Sequence, residues 1–224
     1  MVQIIPSLIV DDYIPRISSV KPYTPLELEG RDIYIREGCV SCHSQMVRPF
    51  RSEVARYGEY SKAGEFVYDH PFLWGSKRTG PDLHRIGGKY SDNWHLNHFY
   101  DPQSTSSGSI MPAYKWLIRN ELDTSITETK MEAMVTLGVP YTQEEIDRAQ
   151  EWMEEQGTQI EMNLYNDPDF AKTYEADKKY AAENGEDFIE MRHREVVAVI
   201  AYLQRLGTDI KVKDILEVSN VKTE

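Results

Sequence analysis

The apolar residues of segment 194–210 repeat with the period of an α-helix. They follow one another at helical spacing: Val196, Val199, Ile200, Leu203 and Leu206. Such spacing places them on one side of a helix, which predicts an amphipathic helix with that side in the core. Gly207 comes next and is a typical helix stop, because glycine readily adopts the left-handed backbone found there. We therefore expect this helix to close the fold.

A second helix is predicted to begin after Thr24. Thr24 and Glu27 have the spacing of a capping box, and Pro25 stands at the first helical position, where an N–H has no helical partner. The apolar face contains a glycine in mid-helix: Leu26, Gly30, Ile33 and Tyr34. Glycine costs roughly 1 kcal/mol there relative to alanine, but it lets another backbone approach closely. We expect the two helices to cross at this glycine, near Ala201 and Tyr202.

Two further helices are marked by their caps in the later part of the chain. Thr142 and Glu145 form another capping-box pattern. Asp167-Pro168 is a helix start, and the helix that it opens is expected to end near Gly185. Together these signals predict an all-α protein with little sheet.

Charge is distributed unevenly along the chain. The formal net charge is −12, and residues 121–195 alone carry 20 acidic and 7 basic side chains. We therefore interpret about 121–190 as an acidic, mainly helical insertion, whose charge is typical of a solvated helix surface. No basic tract in the sequence favours nucleic-acid binding.

The ends of the chain differ from this middle part. No apolar run reaches the roughly 18–20 residues that cross a bilayer. The nearest is IIPSLIV at residues 4–10, which Pro6 interrupts. We interpret residues 1–20 as an extended N-terminal arm, either an apolar arm alone or the outer end of a membrane span that is missing from this chain. Residues 21–210 are predicted to form one domain, and 211–224 a tail.

Both cysteines lie in GCVSCHSQMVRPF, residues 38–50. Cys39 and Cys42 have C-x-x-C spacing, and His43 follows directly. Three chemistries fit this arrangement: a redox dithiol, half of a zinc site, or covalent haem attachment. A redox dithiol would open a helix after a buried strand, whereas here a predicted helix precedes the motif and ends near Gly38.

Zinc and haem differ in what else they need. A zinc site would need two further ligands, for which His95 and His98 are the candidates. For haem, both thiols can reach the vinyl groups of one porphyrin, and His43 is placed to bind the iron. An electron-transfer haem usually takes methionine or histidine as its other axial ligand.

Met111 is our candidate for that ligand. It lies in the small-residue loop SSGSIMPAYKW, where the proline that follows it fixes the chain. Met46 is too close to the motif to reach the opposite haem face. Met131 and Met134 share one side of a helix, as core residues do, and His84 is a weaker candidate.

Residues 75–90, GSKRTGPDLHRIGGKY, supply candidates for the surroundings of the haem. A carbonyl next to Pro81 can accept a hydrogen bond from the ring N–H of His43, which would raise the basicity of the ligand. Side chains that could line the pocket or donate to haem propionates occur here and nearby: Arg48, Arg78, Arg85, Tyr90 and Trp94. Each of them could equally be an ordinary surface or interface residue.

The helix, the C-x-x-C-H motif, the GPDL loop, the Met-Pro loop and the AYL-containing last helix together resemble class I cytochromes c. The segments KPYTPLELEGRDIYIREGCVSCHSQMVRPF, SIMPAY, KMEAMVTLGVPY and AYLQRLGTDI are more closely similar to the monohaem subunit (subunit II) of cbb3-type cytochrome c oxidases. The resemblance covers about residues 21–145 and 190–210. It implies a class I cytochrome c-like haem domain, to which the acidic insertion and the arm are added.

The resemblance also implies a role for the site. One covalent haem c would be attached to Cys39 and Cys42, with His43 and Met111 as axial ligands. The chain would relay electrons from a di-haem cytochrome c subunit to the haem–copper subunit, which reduces oxygen to water, and would do no catalysis itself. The family is anchored in the bacterial inner membrane with its haem domain on the periplasmic side. A calcium ion at a subunit interface is a further expectation, with Ser76 as its candidate contact.

Two other functions stay open at this point. A free periplasmic monohaem electron carrier would need neither the long arm nor the insertion. A haem sensor or a peroxidase-like enzyme would need an open coordination position on the iron.

Overall fold

The computed structural model describes residues 16–211, which are helical and contain no strand; an isolated antiparallel bridge joins Glu121 and Arg194. The α-helices are α1 Pro25–Arg36, α2 Arg51–Tyr57, α3 Asp92–Tyr100, α4 Pro102–Thr105, α5 Thr127–Thr136, α6 Gln143–Asp147, α7 Ala149–Tyr165, α8 Pro168–Asn184 and α9 Glu195–Arg205. Short 3-10 turns occur at Cys39–Ser41, Ala63–Phe66, Lys115–Ile118 and Met191–His193. The all-α prediction is confirmed.

The predicted arm and tail lie almost wholly outside the described residues. Within 16–211, none of the helices has the length and apolar character needed to cross a membrane.

The predicted caps form as hydrogen-bonded structures. At α1 the Oγ1 of Thr24 accepts the N–H of Glu27, and the Glu27 carboxylate accepts the N–H of Thr24 in return. The helix ends at Arg36, and Gly38 takes the left-handed conformation with φ +73°. Thr142 caps α6 in the same reciprocal way. These local signals therefore fix the helix starts, and at α1 Gln156 adds hydrogen bonds to both capping residues.

Helix α9 is buried on every side, not on one. All residues from Glu195 to Leu203 are buried, including Val197, Ala198 and Ala201, which lie off the predicted apolar face. Helices α1, α3 and α7 and the turn Lys115–Ile118 surround it. The amphipathic prediction was thus incomplete, because periodicity shows one apolar side but not how many neighbours a helix has.

Helices α1 and α9 cross at Gly30, as predicted. A Cβ placed on Gly30 would lie 1.9 Å from the carbonyl oxygen of Ala198 and 2.9 Å from Cβ of Tyr202. The contact therefore involves the α9 backbone itself, which only glycine permits. The predicted neighbour Tyr202 is correct, but Ala198 takes the place of Ala201. Ala198 and Tyr202 are one helical turn apart on the same side, whereas Ala201 borders a groove beside α7.

Two hydrophobic clusters lie in the described part of the chain. The main cluster joins α1, α3, α7 and α9, and α7 contributes Met153, Ile160 and Leu164 to it. The small cluster consists of Leu28, Met131, Met134, Val139, Ile146 and Ala149. Met131 and Met134 are buried as expected. Helix α7 thus packs into the main core although it belongs to the predicted insertion; the proposed domain boundaries themselves stay a prediction.

Candidate functional site

A cavity of about 630 Å³ lies against the main cluster. This volume is within the roughly 300–1,000 Å³ that is usual for cofactor and ligand sites. Its wall comes mainly from four stretches of the chain: 34–43, 79–90, 94–99 and 106–114. It brings together all four residues that were predicted to hold a haem: Cys39, Cys42, His43 and Met111.

The two cysteines stand in the tight turn that follows α1. The N–H groups of Cys42 and His43 both donate to the carbonyl of Cys39, at 3.1 and 2.9 Å, so the motif folds into a single turn. Both thiols are free. Burial raises the pKa of the Cys39 thiol to about 12, whereas a redox dithiol relies on a lowered thiol pKa. The site therefore does not support the dithiol alternative.

The ring of His43 is fixed by its neighbours on the 80–81 segment. Nδ1 lies 2.8 Å from the carbonyl oxygen of Pro81. Because a carbonyl can only accept, Nδ1 carries the proton, and Nε2 has its lone pair free for a metal. A Cβ on Gly80 would lie 2.3 Å from Cε1 of His43, so a glycine is needed for the ring to lie there. Burial also lowers the pKa of His43, which favours the neutral imidazole that binds metals.

Met111 reaches the same cavity from the loop between α4 and the turn Lys115–Ile118. Its N–H donates to Oγ of Ser109, and its side chain packs against the main cluster. Farther along, the N–H of Tyr114 donates to the carbonyl of Phe99 at 2.8 Å, which ties this loop to α3. Two thiols, one imidazole with a free nitrogen and one thioether thus meet at one cavity, and this donor set fits a c-type haem.

Helix α3 supplies an aromatic wall. Tyr90 stacks on Trp94 with ring centroids 3.9 Å apart, and Trp94 stacks on His98 at 4.6 Å. Tyr90 and Trp94 therefore line the cavity, as expected for pocket residues, and Pro81 lines it too. Sequence reasoning considered His95 and His98 only for zinc, although both line this wall. Burial lowers the pKa of His95 to about 4, and its Nε2 is buried without a hydrogen-bond partner in the described structure.

The zinc alternative finds no ligand set in the described structure. His95 and His98 share the cavity with the two cysteines. Within residues 16–211, however, no three or more His, Cys, Asp or Glu side chains are grouped so that they could hold a metal ion.

Of the three arginines that were predicted to donate hydrogen bonds to haem propionates, only one lines the cavity. Arg48 and Arg78 do not line the cavity, because both form ion pairs with the buried carboxylate of Glu53. The hydrogen bond from Arg78 is the main reason why the pKa of Glu53 falls to about 2. Arg85 does line the cavity, but its guanidinium donates two 2.8 Å hydrogen bonds to Glu65. Neither Arg48 nor Arg78 therefore borders the cavity, and a role of either toward haem propionates stays a prediction.

Two further candidates lie outside the cavity. His84 is buried, stacks on Phe66 with centroids 4.5 Å apart, and has Nδ1 2.5 Å from Oγ of Ser61. It is therefore held in the protein interior, away from the cavity wall. Ser76 is exposed and is not part of the cavity lining.

Sequence reasoning missed the polar residues behind His43. Asp82 is buried and accepts hydrogen bonds from Ser44, Met46 and His84. The only signal for it was its place in the GPDL loop, directly after Pro81. Two of its partners, Ser44 and Met46, are 38 and 36 residues away in the chain, so local patterns could not reveal them.

An all-α fold that gathers these donors around one cavity defines the class of cytochrome c-like proteins. Residues 1–210 match the family described as cytochrome c oxidase, mono-heme subunit/FixO, and the chain therefore belongs to that family. The resemblance noted in the sequence is thus confirmed. Membership implies one haem and a place beside other subunits in an oxidase complex. A comparison with curated proteins gave no match.

Proposed function

We propose that this chain is the electron-relay subunit of a cbb3-type oxidase and carries one covalently bound haem c. Cys39 and Cys42 would form the thioether bonds, and His43 and Met111 would be the axial ligands. The observation that supports this most directly is the single cavity that gathers these four residues. Family membership does not favour the alternative of a free electron carrier, because the family is defined as an oxidase subunit.

A haem bound in this cavity supplies reversible one-electron redox chemistry. The residues of the chain hold and tune it. His43 offers Nε2, while its Nδ1–H is held by Pro81. A thioether from Met111 as the second axial ligand favours the ferrous state, which raises the reduction potential. With both axial positions taken by protein, oxygen chemistry would belong to another subunit.

The relay would run from a di-haem cytochrome c subunit through this chain to the haem–copper subunit. Next to the candidate ligand Met111, Ile110 is 79% exposed and also lines the cavity, so the cavity wall reaches the protein surface there. Electron transfer between subunits needs such a short path from the cofactor to the surface. We place the haem domain on the periplasmic side of the inner membrane, where the family's role requires it.

A calcium contact at Ser76 is a separate part of the proposal. Ser76 is exposed on a loop held close to the site: the carbonyl of Trp74 accepts the N–H of Gln45, and the N–H of Thr79 donates to the carbonyl of Cys42. In the assembled oxidase, Ser76→Ala is expected to weaken calcium retention, measured by metal analysis after chelation, relative to Ser52→Ala. Equal retention in the two variants would remove this part of the proposal.

The cofactor is tested by a visible spectrum with a pyridine haemochrome assay. We expect the spectrum of a c-type haem, at one haem per chain, that stays with the denatured protein. Cys39→Ala and Cys42→Ala should each leave only one thioether and shift the haemochrome band. Haem that is extracted completely from the denatured wild type would overturn the covalent assignment.

The axial ligand is tested with two methionine variants. Met111→Ala should lower the reduction potential and let the reduced protein bind carbon monoxide, which the wild type should not do. Met134→Ala is the control, because Met134 lies in the small cluster. If the control shows the effect and Met111→Ala does not, the ligand assignment is wrong.

A further inference from the structure

Asp82 follows Pro81, whose carbonyl holds the His43 ring, and its side chain is completely buried at 0% exposed. Its Oδ2 accepts hydrogen bonds from Oγ of Ser44 at 2.7 Å and from the N–H of Met46 at 2.8 Å. Its Oδ1 accepts the N–H of His84 at 2.9 Å. A buried carboxylate that accepts this many hydrogen bonds is held in one position by its donors.

These hydrogen bonds join the two segments that meet at the His43 ring. Ser44 and Met46 follow the histidine, while His84 follows the carbonyl of Pro81, which holds the ring. The N–H of Leu83 also donates to the carbonyl of Ser44 at 2.9 Å. One carboxylate therefore ties the chain that carries the ring to the chain that carries its hydrogen-bond acceptor.

The negative charge of Asp82 is only partly compensated. Arg78 is its cationic neighbour, with Nη2 at 3.3 Å. The same guanidinium lies closer to Glu53, at 2.7 and 2.9 Å. Arg78 is thus largely paired with Glu53. Glu53 is also paired with Arg48, so the four charges of this cluster balance overall. Asp82 is the carboxylate of the cluster that adjoins the Pro81 carbonyl, so its negative charge is the one placed on the His43 side, where the low dielectric of the interior strengthens its effect.

We propose that Asp82 is a positioning residue for the iron ligand His43: it keeps the Pro81 carbonyl on Nδ1–H and places a negative charge behind the ligand that stabilises ferric iron. Arg78, through its pairing with Glu53, sets how much of that charge reaches the ring. This inference rests on the proposed function, since it needs a haem bound through His43. A charge behind the ring acts by raising the electron donation of the ligand to the metal.

The test uses the full haem-loaded chain with Asp82→Asn and Arg78→Gln. Asp82→Asn removes a negative charge and should raise the midpoint potential. Arg78→Gln removes a positive charge and should lower it. A purely structural role would loosen the same segments in both variants and shift both potentials in the same direction. Opposite shifts therefore identify the electrostatic role, and a shared direction or no shift in either variant overturns it.

Asp69→Asn is the matched control. Asp69 is equally buried, but its neighbours are Arg31 and Tyr23 on another side of the core. We expect the control to keep the wild-type potential. A second readout is the hydrogen exchange of the His43 Nδ1–H, followed by NMR, which should become faster in Asp82→Asn and stay unchanged in the control. An equal exchange rate in Asp82→Asn and the wild type would count against the positioning role.

Two failures can be told apart. If the wild-type chain shows no covalent haem in the haemochrome assay, the proposed function fails. If haem is present but Asp82→Asn and Asp69→Asn have the same potential, only this inference fails. Should Asp82→Asn not accumulate as folded protein, Arg78→Gln decides alone: a lower potential supports the role, and an unchanged or higher one overturns it.

Discussion

The main cluster and the small cluster both use α1, but they are completed in different ways. In the small cluster, side chains fill the interior, and Met131 and Ala149 are both 0% exposed. In the main cluster, Cys39, Tyr90 and Met111 are only partly buried, since they pack on the cluster with one side and border the cavity with the other. The small cluster is therefore filled by its own side chains, whereas the main cluster borders a cavity.

The polar groups of the two regions differ in the same way. Beside the small cluster, the buried carboxylate of Glu29 accepts from Oγ1 of Thr127 and from Nζ of Lys130, both at 2.6 Å. Around the cavity, the bonds of Asp82 and Glu53 span fewer residues and go to the backbone and side chains of the segment that follows His43 and to Arg78. The buried carboxylate joins α1 to α5 in the first region, and it joins the segments on either side of the His43 ring in the second.

The largest expected effect tests whether the small cluster is independent of the cavity. Met131→Ala should lower the free energy of unfolding by about 4 kcal/mol, because a fully buried side chain leaves a cavity. The visible spectrum of the folded protein should not change. Val135→Ala, on the exposed side of the same helix, is the control and should cost about 0.5 kcal/mol or less. Denaturant unfolding followed by circular dichroism measures both variants, and a changed spectrum would show that the regions are coupled.

A smaller effect is expected where α1, which contributes to both clusters, crosses α9. Gly30→Ala should cost about 3 kcal/mol, because its Cβ would overlap the Ala198 carbonyl and force α1 away from α9. Since α1 leads into Cys39, the cavity should be disturbed as well, and haem incorporation should fall. Gly157→Ala is the matched control: it is also in mid-helix, but its Cβ would lie 3.1 Å from the nearest atom. If both variants have equal stability, the crossing does not need glycine.

We expect the pH dependence of the free energy of unfolding to come mainly from Asp69. Burial raises the pKa of Asp69 from 3.8 to about 6. The pKa of Asp69 is thus higher in the folded than in the unfolded protein. The stabilisation that Asp69 contributes is therefore fully present below about pH 4 and is lost as the pH rises through 6. We expect this loss to be roughly 2 kcal/mol and to be absent in Asp69→Asn. Denaturant unfolding at several pH values between 4 and 7 measures this loss, with the exposed Asp177→Asn as control. If the free energy of unfolding changes with pH equally in the wild type and in Asp69→Asn, the assignment to Asp69 is wrong.

The smallest expected effect is local to the edge of the small cluster. Thr142→Ala removes the cap of α6 and should cost about 1 kcal/mol, because an N-cap hydroxyl satisfies one free N–H. Thr173→Ala, in the exposed interior of α8, should change stability very little. Thermal unfolding compares the two variants. A spectral change at the haem in Thr142→Ala would mean that the cap supports the cavity too.

Much of the site was readable from short stretches of sequence. The C-x-x-C-H motif, the Met-Pro loop and the GPDL segment predicted Cys39, Cys42, His43, Pro81 and Met111, and all of them line one cavity. Sequence reasoning expected a carbonyl next to Pro81 to hold the His43 ring, and in the structure the carbonyl of Pro81 itself does so. The sequence did not show that Arg48 and Arg78 lie off the cavity wall, because it shows that an arginine is present but not which carboxylate lies nearest. Here the buried Glu53 pairs with both.

The sequence by itself determined the features that depend on neighbouring residues: the helix caps, the stops at glycine, the turn of the cysteine motif and the period of α9. Only the tertiary structure decided which surfaces meet. It buried α9 on all sides, brought Gly80 against the His43 ring and placed Asp82 behind it. The reason is physical: caps and turns are satisfied by hydrogen bonds within a few residues, whereas packing and the pairing of buried charges depend on groups that only the folded chain brings together.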